Sequence, residues 1–576
     1  MTLACSLADL GQSPAFDVVV LGGGAAGLAA AVFAALNGQR VLLVERTGQV
    51  GGTSALSAGT AWVPNTRHAA EVGAQDSVEQ AALFLDHAVG NRSPRAMRDV
   101  FLREGPAAID TLENRAGVPF QARPFHPDYL SELDGAVSCG RAIETLPFDG
   151  RRLGSDLDLI RPTIPEFTIL GGLMVDRDDI AHLLNVRRSL RSAAQVARLV
   201  GGHVLERLYR RRSTRLTMGN ALIGRLLLAA RERGVRLLLE TEVMGIGGPE
   251  GGVDRVTVEQ HGARAEIAVS GGVVLASGGF ALHPERRRQM LPEPVPEYSP
   301  AAPTATGRLH DIALRLGARY GEGASENVFW APVSRRRRKD GSVAVFPHFV
   351  FDRAKPGTVC VGRDGRRFVN ESTSYHQFVR AMYAANRDGS TIPAFLITDA
   401  SGMKRYGLGM VRPGGFGLRA RLKDGYVVRG QTLRELAGRA GIDPGGLAAT
   451  VMRINGYARS GVDPEFARGT TVYERANGDP GHGGPNPTLG PIATPPFYAV
   501  ELWPGDIGAA TGLVCDEDAR VLGPDGPIRG LYACGADMHS IMGGIYPAPG
   551  ITIGPALAFA YIAARHAAGR GRGEER

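Results

Sequence analysis

The clearest hydrophobic pattern in the chain lies near its start, between Asp17 and Glu45. Four apolar residues at 18–21 run directly into a glycine turn at 22–27, and small apolar residues continue from the turn to a glycine at 38. A second apolar run at 41–44 ends at Glu45. This pattern predicts a strand, a tight turn, a helix and a second strand.

The glycine turn has the spacing of a dinucleotide-binding site. Gly22 permits the tight turn, Gly24 lets backbone N–H groups approach a pyrophosphate, and Gly27 lets the helix pack closely on the strand. The N-terminus of the helix, which includes Ala26, faces the anion. Glu45 stands where a carboxylate meets a ribose hydroxyl. Because strand, helix, second strand and acid are all in place, the sequence predicts dinucleotide binding.

Later apolar runs predict further strands of the same domain. They lie at 236–243, 253–269 and 272–275, and the last of them ends in glycines that include Gly278. The chain then returns with apolar strands at 498–500, 512–516 and 530–534, the last ending at Gly535 and Asp537. Between about 290 and 490, proline and glycine breaks and short strands, such as the one at 343–351, predict a separate substrate domain.

Helical spacing appears at 76–116 and again at 189–209. In the second stretch one side is apolar: Leu190, Ala194, Ala197, Val204 and Leu208. The surrounding segment from Arg177 to Arg215 contains ten arginines. Two interpretations stay open: a helix packed on the protein with a solvated basic face, or a membrane-surface or lid helix that suits an apolar substrate.

Composition narrows the functional class. A chain of 576 residues with 44% hydrophobic and 22% charged residues suits a soluble enzyme with a sizeable core. The five cysteines form no CxxC pair and the 13 histidines show no metal-binding spacing, so we expect neither a disulfide framework nor a metal. The net charge of +8 comes without interleaved aromatic residues, so we expect no nucleic-acid partner. No run reaches the roughly 18 apolar residues of a membrane span, which predicts a cytoplasmic protein, with peripheral contact at the inner face of the membrane through 177–216 as an option.

The residues after Glu45 resemble the FAD fingerprint of the fumarate reductase and succinate dehydrogenase flavoprotein superfamily. The match runs through a second glycine turn, and its predicted FAD contacts are Arg46, Gly52, Thr53, Ser54, Ser57, Ala58 and Gly59. Strands that end like those at Gly278 and at Gly535 and Asp537 recur beside the flavin in that superfamily. Some members attach the flavin through a histidine in this region, whereas here no histidine lies between Gly51 and Trp62. The resemblance therefore implies non-covalent FAD.

The predicted fold class is α/β: a Rossmann-like FAD-binding domain, discontinuous in sequence, with an inserted α+β substrate domain. The FAD-binding domain would cover residues 1–290, with a basic helical insertion at about 177–216, and would return at 490–576. The substrate domain would cover 291–489.

Two stretches determine the reaction. Residues 365–376 resemble the superfamily's RFxNE segment, but Tyr375 stands where fumarate reductases place a proton-delivering arginine. Residues 543–556, with Tyr546 and Gly550, lack the arginine that clamps a carboxylate in fumarate reductases. With the loop at Asp128 and Tyr129, these features make the chain resemble bacterial 3-ketosteroid Δ1-dehydrogenases over nearly its whole length.

That resemblance implies 1,2-desaturation of a 3-ketosteroid, with electrons passed to an external acceptor. Tyr546 O–H and Gly550 N–H would hold the ketone oxygen as negative charge develops. Tyr375 would take the proton from the adjacent carbon. Tyr129 would hydrogen-bond to Tyr375 and lower its pKa.

The tail of this motif also departs from the family pattern. Ala548 stands where the family often has glycine, and Ile551 stands where it often has a smaller residue. A smaller, non-steroidal cyclic ketone is therefore the alternative substrate. In both cases the helix that begins near Gly550, with Ile551 and Ile553 beside the cofactor, would direct its N-terminus at the flavin.

Overall fold

The computed structural model describes residues 3–186, 189–210 and 212–571. Two large sheets dominate the structure, one mostly parallel in its centre and one antiparallel. Within the described ranges, no helix combines the length and the apolar content that crossing a membrane requires.

The first sheet has nine strands and contains the glycine turn. Seven of them lie in the order Ala4–Cys5, Arg236–Leu238, Val41–Val44, Ala15–Leu21, Ala263–Leu275, Arg255–Gln260 and Thr241–Gly247. The strand Gly526–Ala533 joins Ala263–Leu275 and also pairs with Arg520–Gly523. The strands that end at Leu21, Val44, Leu275 and Ala533 are mutually parallel, so their carboxyl ends meet at one edge. The predicted FAD-contacting turns at 22–27, 46–59, 278 and 535–537 follow these four strand ends, whereas Ile551 and Ile553 lie at the start of the last helix.

The helix Ala25–Leu36 confirms the predicted strand, turn and helix. It follows Ala15–Leu21 directly, and its residues 25–34 are buried. Gly22 has φ +115°, and a Cβ on Gly27 would lie 1.8 Å from the carbonyl oxygen of Gly22. Both positions therefore require glycine: the first for the turn, the second for the close approach of helix and strand.

The described residues form fifteen further α-helices. They are His68–Glu71, Val78–Val89, Arg95–Ala116, Arg177–Leu184, Leu190–Arg207, Met218–Glu232, Pro284–Met290, Arg308–Arg315, Tyr375–Ala385, Ala400–Tyr406, Leu418–Lys423, Leu433–Ala440, Pro444–Ser460, Val472–Asn477 and Ile553–Gly571.

The second large sheet is antiparallel. Its main path is Val343–Pro347, Val328–Arg337, Phe497–Ala509, Ala394–Thr398 and Thr358–Val361, and Val428–Gly430 pairs with Phe497–Ala509. The sequence assigned the strand at 498–500 to the returning flavin segment, and its pairing corrects that expectation. The chain rejoins the first sheet only with Arg520–Gly523 and Gly526–Ala533.

Three small sheets complete the strand pairing of the described residues. Thr60–Trp62, Ala142–Thr145 and Phe120–Ala122 form a three-stranded sheet. Two further pairs are Phe148–Asp149 with Arg215–Leu216, and Thr168–Ile169 with Leu173–Met174.

The basic segment forms the helices Arg177–Leu184 and Leu190–Arg207, and the second helix presents its predicted apolar side to solvent. Leu190 is 91% exposed and Leu208, just beyond the helix, is 80% exposed; Ala194, Ala197 and Val204 are also exposed. Two polar side chains of the helix bond to the protein: the Ser192 hydroxyl to His182 and the His203 imidazole to the Leu170 carbonyl. Most of the predicted apolar side is therefore exposed, and both interpretations, a packed helix with a solvated basic face and a membrane-surface or lid helix, stay predictions. Arg187, Arg188 and Arg211 lie outside the described residues.

Candidate functional site

Three tyrosines from distant parts of the chain form one cluster, in which Tyr375 and Tyr546 are buried and Tyr129 is partly buried. Tyr129 lies in an irregular loop, Tyr375 is the first residue of Tyr375–Ala385, and Tyr546 precedes Ile553–Gly571. The Tyr129 O–H donates to the Tyr375 oxygen over 3.2 Å. The ring of Tyr546 stacks on Tyr129 at 5.8 Å and meets the edge of Tyr375 at 5.1 Å between centroids. The structure thus brings together the three side chains that the sequence singled out.

The Tyr129 loop is attached directly to the segment that carries Tyr546. The backbone N–H groups of Tyr129 and Leu130 both donate to the Pro547 carbonyl, at 2.8 and 3.1 Å. The preceding residue, Asp128, is buried and forms an ion pair with Arg141 at 3.0 Å. These contacts fix the distance between Tyr129 and Tyr546 through the backbone.

Tyr375 is positioned by the loop that precedes its helix. The Ser374 hydroxyl caps the helix by accepting from the N–H of Gln377. The buried Arg353 guanidinium donates to the carbonyls of Glu371 and Thr373, at 2.7 and 3.3 Å. The Glu371 carboxylate is itself paired with Arg367 at 2.7 Å, which explains the packing of the RFxNE-like segment. A buried, charge-paired loop therefore presents the phenol.

Gly550 is buried in the turn between Tyr546 and the helix Ile553–Gly571. Its carbonyl accepts from the backbone N–H of Trp62 at 3.0 Å. Its own N–H donates to no acceptor in the three ranges that the structure describes. A free backbone N–H in a buried turn is the kind of donor that stabilises developing negative charge on an oxygen.

Burial controls the acidity of the three phenols. It raises the pKa of Tyr129 and of Tyr375 well above the ordinary value, and it also raises the pKa of Tyr546. The hydrogen bond that Tyr129 donates to the Tyr375 oxygen favours the Tyr375 anion, so in this geometry it opposes the effect of burial. The expectation that Tyr129 lowers the pKa of Tyr375 relative to the same phenol without this bond stays a prediction. The phenol of Tyr375 stays protonated at neutral pH unless a further charge stabilises its anion.

The glycine turn has the features that the pyrophosphate and ribose of FAD require. Gly24 is the N-cap of Ala25–Leu36 without a side-chain cap, and a Cβ on Gly24 would meet no atom within 4 Å. The Glu45 carboxylate accepts from the Gly23 N–H at 2.9 Å and from the Thr47 N–H at 3.0 Å, which fixes it beside the turn. The helix N-terminus and the open Gly24 therefore fit the pyrophosphate of FAD, and the Glu45 carboxylate fits its ribose.

The second glycine turn lies against the first one. The Ser54 hydroxyl accepts from the Ala25 N–H at 3.4 Å, and the Thr53 hydroxyl accepts from the Ala302 N–H at 2.9 Å. Ser57 donates to the Ser54 carbonyl, and Arg46 donates to the Thr304 carbonyl. Of the other predicted contacts, Gly52 is half-buried, Gly59, Ile551 and Ile553 are buried, and Ala58 is exposed.

Asp537 organises the turn around Gly278. Its carboxylate accepts from the backbone N–H groups of Ser277 and Gly279, the second at 2.8 Å, and pairs with His310 at 3.0 Å. A Cβ on Gly535 would lie 2.9 Å from the Cβ of Ala26, so this strand end packs on the first helix. Asp537 therefore connects two of the four strand ends that face the predicted cofactor.

Sequence reasoning missed three residues of the cluster's surroundings. Arg353 acts on the Tyr375 loop through backbone carbonyls, and Trp62 acts on the Tyr129 loop through the Asp128 carboxylate. No local sequence motif marks either residue. Tyr473 packs on Tyr129 at 4.7 Å between ring centroids but lies 344 positions later in the chain. The only sequence signal for Tyr473 is that it is a tyrosine.

Comparisons with known proteins agree with this arrangement. Residues 17–553 match the model of the family described as FAD binding domain. A 4-oxocyclohex-2-ene-1-carboxylate 5-dehydrogenase of Sinomonas cyclohexanicum is 37% identical, over 96% of this chain and 94% of that protein. A 3-oxosteroid 1-dehydrogenase of Mycobacterium tuberculosis is 34% identical, over 96% and 98%. The crystal structure of 3-ketosteroid Δ1-dehydrogenase from Sterolibacterium denitrificans with 1,4-androstadiene-3,17-dione superimposes with a TM-score of 0.88, at 34% identity, over 96% of this chain and 99% of that one.

Proposed function

Because the chain belongs to the FAD-binding flavoprotein family that includes the 3-oxosteroid 1-dehydrogenases, we propose that it catalyses the 1,2-desaturation of 3-ketosteroids. The family makes it an FAD-dependent oxidoreductase with a Rossmann-like α/β fold, as the sequence predicted. The observation that carries the proposal is the convergence of Tyr129, Tyr375 and Tyr546. The phenol oxygens of Tyr129 and Tyr375 are 3.2 Å apart.

Desaturation next to a ketone needs three functions from the site. The Tyr546 O–H and the Gly550 N–H would donate to the ketone oxygen as its negative charge increases. Tyr375, as its phenolate, would take the proton from the carbon next to the ketone, and Tyr129 would donate a hydrogen bond to that oxygen. Bound FAD supplies the acceptor for the hydride that leaves the second carbon. The apolar walls of the cluster, such as Phe349 at 5.0 Å from the Tyr375 ring, would exclude water.

A smaller cyclic ketone is the second candidate substrate. It is favoured by the 37% identity to an enzyme named for a one-ring keto acid, and by Ala548 and Ile551 in the Tyr546 motif. Both substitutions add bulk where the steroid enzymes often have less, and Ala548 and Ile551 are buried. The same three tyrosines would carry out the same chemistry on this substrate.

Anaerobic mixing separates the two candidates. The purified holoenzyme is mixed with an androstenedione-like steroid or with cyclohexanone, and the bleaching of the oxidised flavin absorbance is followed. Bleaching by the steroid supports the first candidate, and bleaching by cyclohexanone alone supports the second. If no ketone bleaches the flavin, the proposed function is wrong.

We further propose peripheral association with an anionic membrane surface through 177–216. It is supported by the exposed apolar side chains of the second basic helix and by exposed Leu170 on the hairpin bonded to His203. Arg191, Arg198 and Arg207 lie on the same helix, so apolar and basic groups are combined on one surface. Such a surface would suit an enzyme whose substrate dissolves in lipid.

A further inference from the structure

A fourth tyrosine, Tyr473, belongs to the aromatic cluster. It lies in the helix Val472–Asn477, which the Thr471 hydroxyl caps by accepting from the N–H of Glu474. The Tyr473 and Tyr129 rings are 4.7 Å apart between centroids and tilted by 48°. Since Tyr129 also stacks on Tyr546, the Tyr473 ring is one ring away from the group that would hold the ketone.

The hydroxyl of Tyr473 is buried and forms no hydrogen bond within the described part of the chain. The residue is only 3% exposed, and its oxygen has no hydrogen-bond partner among the residues that the structure describes. The ring is held in place by Val350 and Ala354, and its backbone N–H donates to the Ser131 hydroxyl at 3.1 Å, in the loop that carries Tyr129. A buried hydroxyl without a partner is costly, so a ligand that supplies an acceptor would relieve that cost.

The electrostatic surroundings favour an electron-rich partner. The Arg353 guanidinium is fully buried and uses its N–H groups on backbone carbonyls, including those of His348 and Glu371 at 3.0 and 2.7 Å. Burial raises the pKa of Tyr473, and the charge of Arg353 opposes that rise, so the cation acts on this phenol. A positive charge behind a phenolic donor strengthens its hydrogen bond to an oxygen that carries negative charge.

We infer that the Tyr473 O–H donates a hydrogen bond to a second oxygen of the substrate, a carbonyl or carboxylate oxygen away from the ketone at Tyr546. The inference rests on the proposed function and narrows its substrate class: the substrate is a cyclic ketone with a further oxygen acceptor. Tyr473 is then a specificity residue. Its contact is made equally before and during the reaction, so it affects KM more than kcat.

The test compares Tyr473→Phe with the wild-type holoenzyme on two matched pairs of ketones. The pairs are cyclohexanone with 4-oxocyclohexanecarboxylate, and androst-4-en-3-one with androst-4-ene-3,17-dione. Anaerobic flavin reduction gives kcat/KM and the saturating rate for each. For the oxygen-bearing member of the pair that the enzyme accepts, we expect kcat/KM to fall about 5- to 20-fold in Tyr473→Phe, chiefly through KM. For the bare member we expect a change below about twofold, because no hydrogen bond is lost.

Tyr457→Phe is the matched control, because Tyr457 packs against a separate hydrophobic cluster in the helix Pro444–Ser460. Tyr457→Phe should leave kcat/KM for all four ketones unchanged. Equal effects of Tyr473→Phe on both members of a pair, or none on either, would overturn the inference while the proposed function stands. If wild-type flavin stays oxidised with every ketone, the proposed function fails instead. In that case the dissociation constants of the ketones, measured from the spectrum of oxidised flavin, test the Tyr473 contact. Tyr473→Phe should weaken binding of the oxygen-bearing ketone by the same factor and leave binding of the bare ketone unchanged.

Discussion

The indole N–H of Trp62 donates a hydrogen bond to the carboxylate of Asp128 over 2.8 Å. The backbone N–H of Trp62 donates to the Gly550 carbonyl, and Asp128 immediately precedes Tyr129. Trp62 therefore connects the loop of Tyr129 with the turn of Gly550. Burial raises the pKa of Asp128 to about 6, while Arg141 opposes the rise, so each donor to this carboxylate helps to keep it ionised.

Trp62→Phe should remove the hydrogen bond to Asp128 while a smaller aromatic ring still packs between Phe84 and Phe101. Losing one donor to a buried carboxylate should lower the free energy of unfolding by about 1–3 kcal/mol. Urea unfolding of the wild-type and variant holoenzymes measures this difference in the free energy of unfolding. Trp503→Phe is the control, because the Trp503 N–H has no partner among the described residues and its loss affects mainly the contact with Arg335. Equal losses for both variants would contradict the role of Trp62.

Tyr375→Phe should remove the proton acceptor and leave the packing of the ring. Flavin reduction in a single turnover should slow by roughly 10²–10⁴, while the substrate still binds. Tyr129→Phe should be milder, because Tyr129 acts only through its hydrogen bond to Tyr375. The spectrum of oxidised FAD is checked first to exclude misfolding. A Tyr375→Phe rate within a few-fold of wild type would assign proton abstraction to another group.

Tyr546→Phe should remove one of the two donors to the ketone oxygen and leave the Gly550 N–H. The expected loss in the rate of flavin reduction is on the order of 10²–10³. The same single-turnover measurement checks it, with the dissociation constant of the ketone from flavin perturbation as a second readout. Unchanged reduction, with weaker binding alone, would show that Tyr546 contributes to binding and not to the transition state.

The rate of flavin reduction should rise with pH. Tyr375 takes the proton as a phenolate, and burial raises its pKa above the ordinary value, so the active fraction grows about tenfold per pH unit below that pKa. At saturating ketone, no plateau should appear below about pH 10 while the protein stays folded. Stopped-flow traces across the pH range measure it, and Tyr375→Phe should lose the slope. A plateau near neutrality would contradict a base with this raised pKa.

Anionic liposomes should retain the protein at low salt and release it at high salt. Each basic residue near such a surface contributes roughly 1 kcal/mol, which salt screens, and the exposed leucines add apolar contact. Co-sedimentation of wild type is compared with the double variant Leu190→Asp, Leu208→Asp, which should stay in the supernatant. Met452→Asp, at an exposed site on the helix Pro444–Ser460, is the control and should bind like wild type. Equal wild-type recovery with and without liposomes would contradict membrane association.

The parts of the fold that depend on neighbours in sequence could be predicted from the chain alone. The strand Ala15–Leu21, the glycine turn, the helix Ala25–Leu36 and the strand Val41–Val44 follow from apolar spacing and from the sterics of glycine, which act within a few residues. The family resemblance supplied Tyr129, Tyr375 and Tyr546. The domain boundaries at 290 and 490, the non-covalent attachment of FAD and the individual roles of the site residues stay predictions.

Tertiary structure decided the relations between distant segments. It placed Phe497–Ala509 in the second sheet, because strand partners are selected by packing across the whole chain and not by the strand's own sequence. It turned the apolar side of Leu190–Arg207 outward, since helical periodicity defines a face but not what lies against it. It also joined Tyr129 to Tyr375 across 246 positions and brought Tyr473 beside them, because burial and hydrogen bonding act between residues that only the folded chain brings into contact.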